Sequence, residues 1–256
     1  MSECILAEQT HAFISSHKWQ VAVLPFGAIE PHNLHMPYGT DNFQLEHIGR
    51  RACEAAFARG ARVLLLPTIP FGVNTNHLKV PGGMAISFTP TTLLKIIQDV
   101  VDSLERQGVP KLLLLNGHGG NELKPLMREL HHRTKLFICA CDWFRMVADV
   151  YPLIFSDLGD HAGEIETSLG LELFPQLLGE PRAGSGQVKP SRLESIRRGW
   201  LTITRPWHLA CPDTGVGDPA AATAEKGRRL MEVIVKRLAD CLCELAAAEI
   251  DDTFPY

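Results

Sequence analysis

Lys111-Leu112-Leu113-Leu114-Leu115-Asn116-Gly117-His118-Gly119-Gly120-Asn121 passes from an apolar run into a glycine-rich turn. Lys111 to Leu115 is a short apolar run that reads as a fully buried parallel strand. Glu122 to Lys135 follows with helical composition and an apolar stripe at Leu123, Leu126, Met127 and Leu130. A histidine flanked by glycines is thus expected at the carboxyl end of a central strand, on the turn into a helix. That edge is where open α/β sheets bind ligands.

The rest of the chain repeats this alternation. Val21 to Pro25 reads as a first strand, and Thr40 or Asp41 caps a helix running to about Arg59. Arg62 to Leu66 is a second strand, followed by a long loop, Thr68 to Phe88, whose length marks it as functional. Thr89-Pro90 opens a helix through Gln107. Leu136 to Cys141 is a further strand and His161 to Leu173 a further helix. Asp218-Pro219 starts a long C-terminal helix, with Asp as N-cap and Pro in the first turn. Between Pro175 and Thr214 the pattern is irregular. The alternation predicts an α/β fold with a mostly parallel sheet covered on both faces, in one domain over residues 1–256.

Composition narrows the function. The 256 residues carry a net charge of −4 with no basic run, which argues against nucleic acid as a partner. No apolar stretch is long enough to span a bilayer, and Met1 to Trp19 lacks the pattern of a signal peptide, so a cytoplasmic enzyme without a membrane partner is expected. Seven cysteines, an odd number without paired C-x-x-C spacing, read as structural thiols.

Chemistry gathers at the strand ends. Glu30 and His32 are two apart, so an extended segment points them the same way. Asp41 arrives at the start of the next helix, and His118 at the end of another strand. Carboxylates and imidazoles in such company are the ligand types that bind zinc, manganese or iron(II).

Glu30-x-His32 with Asp41, the Asn116 to Asn121 turn and His161-Ala162-Gly163-x-x-Glu166-Thr167-Ser168 together resemble the creatininase family. A Pro-Gly loop like His77 to Gly82 and an ending like Gly215 to Pro219 extend the resemblance from about Val21 to Arg229. It implies a three-layer α/β/α fold and a metal-dependent amidohydrolase with two divalent ions (Zn, Mn or Fe(II)) per chain. Glu30 and His118 would hold one ion and His32 the other, with Asp41 bridging them. Metal-activated water would attack the amide, and His161 would protonate the departing nitrogen. The family implies a homo-oligomer, most readily a hexamer.

Two departures stand out. Creatininase proper has a carboxylate two residues after its His118 equivalent, where this chain has Gly120; Glu166, or else Glu122, must fill the gap. Creatininase proper also covers its substrate with a tryptophan shortly before the catalytic histidine, and Trp143 is the one available upstream. Asn76, His77, Gly119 and Trp143 are therefore expected to line a pocket for a small molecule. Trp200 and Trp207 are expected to be packing residues. The alternatives to a hydrolase of a cyclic amide or formamide are a peptidase trimming a modified peptide and a metal-binding protein without catalysis.

Overall fold

Two strands with every residue buried form the middle of the sheet: β1, Val21–Phe26, and β3, Lys111–Asn116. Burial on both faces is what an uninterrupted run such as Leu112-Leu113-Leu114-Leu115 requires. The computed structural model describes residues 2–179 and 183–256. In it, β2, Val63–Leu65, and β4, Phe137–Asp142, flank the central pair in the order β2-β1-β3-β4, with all pairings parallel. Register is set by apolar alternation. Val21, Val23, Leu113 and Leu115 face one core with α1, Thr40–Ala58, α4, Glu164–Leu173, and α5, Ala224–Ala247. Ala22, Leu24, Phe26, Leu112 and Leu114 face the other, with α2, Pro90–Arg106, and α3, Leu123–Leu130. The architecture is the three-layer α/β/α sandwich.

One topological fact positions the site. β1 and β3 are neighbours, with Phe26 opposite Asn116. The chain leaves β1 toward the face that α1 covers and leaves β3 toward the face that α3 covers. Diverging exits at the carboxyl ends of adjacent strands open a crevice between them.

Three boundaries differ from the sequence expectation. The C-terminal helix begins at Ala224, not near Asp218: the Asp218 carboxylate closes a local turn onto Ala220 N–H, and Thr223 caps the helix by accepting from Lys226 N–H. His161 lies ahead of α4 and pairs its backbone with Val216. α3 stops at Leu130, with His131 exposed at its end. Within 175–214, residues 180–182 lie outside the described residues; the remainder includes two single-turn helices, Glu194–Arg197 and Trp207–Ala210. All seven cysteines are free thiols. Among the described residues no helix is long and apolar enough to cross a membrane.

Candidate metal centre

The turn after β3 is held by its two asparagines. Asn116 Oδ1 accepts from His118 N–H at 3.2 Å, and its amide donates to the His118 carbonyl and to Asp142. Asn121 donates to Asn116 Oδ1 and to the Gly27 carbonyl, and accepts from Val73 N–H. The β1 exit, the long loop and the His118 turn are thereby fixed against one another. Asn42 in α1 adds donations to the Ala28 and Pro70 carbonyls.

Inside this frame Glu30, His32, Asp41 and His118 converge, all buried. His118 Nδ1 lies 3.0 Å from Glu30 Oε1 and 3.3 Å from Asp41 Oδ2, while His32 Nε2 lies 3.0 Å from Asp41 Oδ1. Ligand-type atoms fall into three overlapping groups whose members lie within 4.8 Å of one another: Glu30 with Asp41 and His118; His32 with Asp41 and Glu166; Glu30 with His32 and His161. Asp41 is common to the first two groups. Glu166 joins His32 and Asp41, whereas Glu122 is exposed on the pocket rim and belongs to none.

Glycine at position 120 has a steric cause. A Cβ there would stand 2.2 Å from the Val73 carbonyl oxygen and 2.4 Å from His118 Nε2. The long loop occupies the space that a side chain would need, and the third carboxylate arrives from α4 instead.

Each of the three imidazoles spends one N–H on a main-chain carbonyl: His118 Nε2 on Val73 at 3.1 Å, His32 Nδ1 on Glu30 at 3.0 Å and His161 Nε2 on Pro31 at 3.0 Å. A carbonyl can only accept, so the proton sits on the nitrogen facing it, and the other nitrogen turns inward with its lone pair. Glu30 Oε2 and Asp41 Oδ2 are buried without a hydrogen-bond partner. His77 Nδ1 approaches Glu30 Oε2 to 2.8 Å, yet both atoms remain off the line of a hydrogen bond. Inward lone pairs beside unpartnered carboxylate oxygens fit divalent cations, because such atoms are costly to bury otherwise.

Without a cation, protons must compensate. Burial drives the His32 pKa down, but the Asp41 carboxylate reverses this and raises it to about 10. His118 is raised well above its ordinary value against the same burial penalty, by Glu30 and Asp41. Burial pushes Glu166 up to about 7, with the charge on Asp41 adding to the effect. Burial, reinforced by the neighbouring His32, lowers His161 to about 4. Ala162, next to His161, has φ of 50°, a left-handed conformation that costs a non-glycine residue about 1–3 kcal/mol.

Beside the cluster lies a cavity of about 750 Å³, lined by Glu30, His77, His118, Gly119, His161 and Trp207, and also by Asn76 and Arg205. His77, Asn76 and Gly119 therefore reach the place expected of them. Trp143 does not: it is 1% exposed and packed in the core beneath β4, because the chain turns inward at the strand end. Trp207, expected only to pack, borders the cavity, and Arg205 joins it. The irregular stretch that brings them there offers no periodicity from which to place them.

The fold and centre together define a doubly wound α/β protein with a buried carboxylate–imidazole cluster at its switch point. The Creatininase family model, described as creatinine amidohydrolase, matches residues 7–242, and the chain belongs to the creatininase family of hydrolases. It is 28% identical to a mycofactocin precursor peptide peptidase of Mycobacterium ulcerans over 89% of this chain and 85% of that one. It is also 28% identical to a creatinine amidohydrolase of Pseudomonas putida, over 88% and 89%. A 3-dehydro-scyllo-inosose hydrolase of Thermotoga maritima is 26% identical over 91% and 78%. Among solved structures, a presumed creatinine amidohydrolase from Bacteroides fragilis superposes with a TM-score of 0.91 at 37% identity, covering 98% of this chain and 100% of that one.

Proposed function

We propose that the protein is a metal-dependent amidohydrolase that cleaves a non-peptide C–N bond, in a cyclic amide or a formamide, of a small molecule. The observation that carries this reading is the meeting of buried Glu30, His32, Asp41 and His118 with half-buried Glu166 around two unpartnered carboxylate oxygens. Glu30, Asp41 and His118 would hold one divalent ion and His32, Asp41 and Glu166 a second, with Asp41 offering an oxygen to each. Mixed oxygen and nitrogen ligation suits zinc, manganese or iron(II). When bound, such ions supply a water that ionises near neutral pH and a positive charge for the carbonyl oxygen.

The chain's own residues do the rest. His161 commits Nε2–H to the Pro31 carbonyl, so Nδ1 is the atom that takes up a proton and hands it to the departing nitrogen. His77 and Asn76 meet the substrate from the long loop, and Gly119 borders the same cavity without a side chain. A homo-oligomer, as a hexamer of single-domain chains acting in the cytoplasm, completes the proposal.

A second reading, a peptidase trimming a modified peptide, draws support from the cavity volume. About 750 Å³ is more than one small ring fills. Purified protein assayed on lactams, formamides and short peptides, before and after chelation, tests both. The expected result is lactam or formamide hydrolysis that chelation abolishes and zinc or manganese restores. Peptide cleavage alone selects the second reading, and full activity in metal-free protein overturns the metal dependence.

A further inference from the structure

Two imidazoles face the cavity from separate segments, and one aromatic ring backs both. Trp207 is 5% exposed; its ring stacks on His77 at 4.3 Å between centroids and lies 4.7 Å from His161. The residue preceding each histidine is tied to Arg205. Asn76 donates its amide N–H to the Arg205 carbonyl at 3.2 Å. Asp160 accepts from both terminal nitrogens of the Arg205 guanidinium, at 3.0 and 2.7 Å. The guanidinium lies over the Trp207 ring at 4.8 Å, a cation–π contact that joins the two halves. Pro206 fixes one backbone angle between them. Both ring nitrogens of His77 lack a hydrogen-bond partner, so packing against Trp207 supplies the restraint on its ring that hydrogen bonding does not.

We propose that Arg205-Pro206-Trp207 is a clasp that positions His161 and His77 over the metal centre. Trp207 is then a positioning residue and not a cover over the substrate. With an imidazole stacked on it and a guanidinium above it, its ring is already occupied by protein. The proposal deepens the reading of His161 as the proton-delivering group and rests on it for its catalytic part. The clasp itself rests on the contacts alone.

The test uses the full chain with the metals it purifies with, in Trp207→Ala, Trp207→Phe, Arg205→Ala and Arg205→Lys variants. A misplacement of about 1 Å at a reacting group costs about 100-fold in rate. On a lactam or formamide that the parent hydrolyses, Trp207→Ala is expected to lower kcat by about that factor with KM little changed. Trp207→Phe should recover most of the loss. Arg205→Lys should behave like Arg205→Ala, since an ammonium cannot reproduce the paired hydrogen bonds to Asp160. A rise in KM at unchanged kcat would instead make Trp207 a substrate cover and overturn the proposal. A second readout needs no substrate: carbethoxylation by diethylpyrocarbonate, mapped by mass spectrometry. Trp207→Ala and Arg205→Ala should speed modification of His77 and His161 severalfold while leaving the exposed His131 and His132 unchanged. Unchanged rates at His77 and His161 in both variants refute the clasp, whatever the protein hydrolyses. Accelerated labelling in a protein inactive on every amide keeps the clasp and removes the amidohydrolase reading.

Discussion

At the scale of single residues, the convergence of the candidate ligands was readable because their spacing is short and their chemistry narrow. Glu30, His32 and Asp41 fall within one strand exit and helix start, and only His118 must be brought from elsewhere by the parallel pairing of β1 with β3. Glu166 was a candidate only through the His161 motif, since nothing local to Gly120 tells which carboxylate would stand in for the one absent there. Asp41 has an oxygen toward each imidazole, so Asp41→Ala is expected to lose both metals, whereas Glu166→Gln should weaken one. Metal content per chain by mass spectrometry decides, and an Asp41→Ala protein that keeps two ions would sink the bridging role. Trp143, expected in the pocket, and Trp200, expected to pack but 71% exposed, were misassigned for a physical reason: burial of a large ring depends on how the chain leaves an element, which local spacing does not encode. Trp143 belongs to the core, so Trp143→Ala should cost about 3–5 kcal/mol of stability by urea unfolding. A change in KM without that loss would return Trp143 to the pocket.

At the scale of elements, strands were the most readable because unbroken apolar runs have few other uses. Helix starts were less so. Asp218-Pro219 has the composition of an N-cap and first turn, yet Thr223 carries the cap, and sequence gives no measure of which capping group finds a helix behind it. The cysteine spacing on β4 was read as structural, and the thiol electrostatics carry a consequence for stability. Burial raises both Cys139 and Cys141 from an ordinary 9.0 to about 12, with the nearby Cys241 adding to the shift. Because the folded values are the higher, this contribution is fully present below pH 9.0 and is lost as the pH rises toward about 12. A Cys139→Ala, Cys141→Ala double variant should therefore lose less unfolding free energy across that alkaline window than the parent. Equal losses, measured by denaturant unfolding at several pH values, would show that the two thiols do not ionise on unfolding as described.

At the scale of the whole molecule, alternation of strand and helix was enough to imply a covered parallel sheet, and the order of the motifs was enough to imply the family. What could not be read is how the surface is used, because exposure emerges only once every element is packed. Met84, Leu153, Trp200 and Leu209 leave most of their side-chain surface open, on the long loop, after β4 and along the irregular stretch. A large apolar side chain gains about 1.5–3 kcal/mol when fully covered, as it would be at a subunit contact. Light scattering at micromolar concentration is expected to give six times the 28.3 kDa chain mass. A hexamer closed by the exposed apolar side chains should be lost with them, so Trp200→Glu and Leu153→Glu are the variants to weigh beside it. If both keep the parent's mass, those residues face solvent in the assembly. A parent that itself elutes with the mass of one chain removes the hexamer altogether.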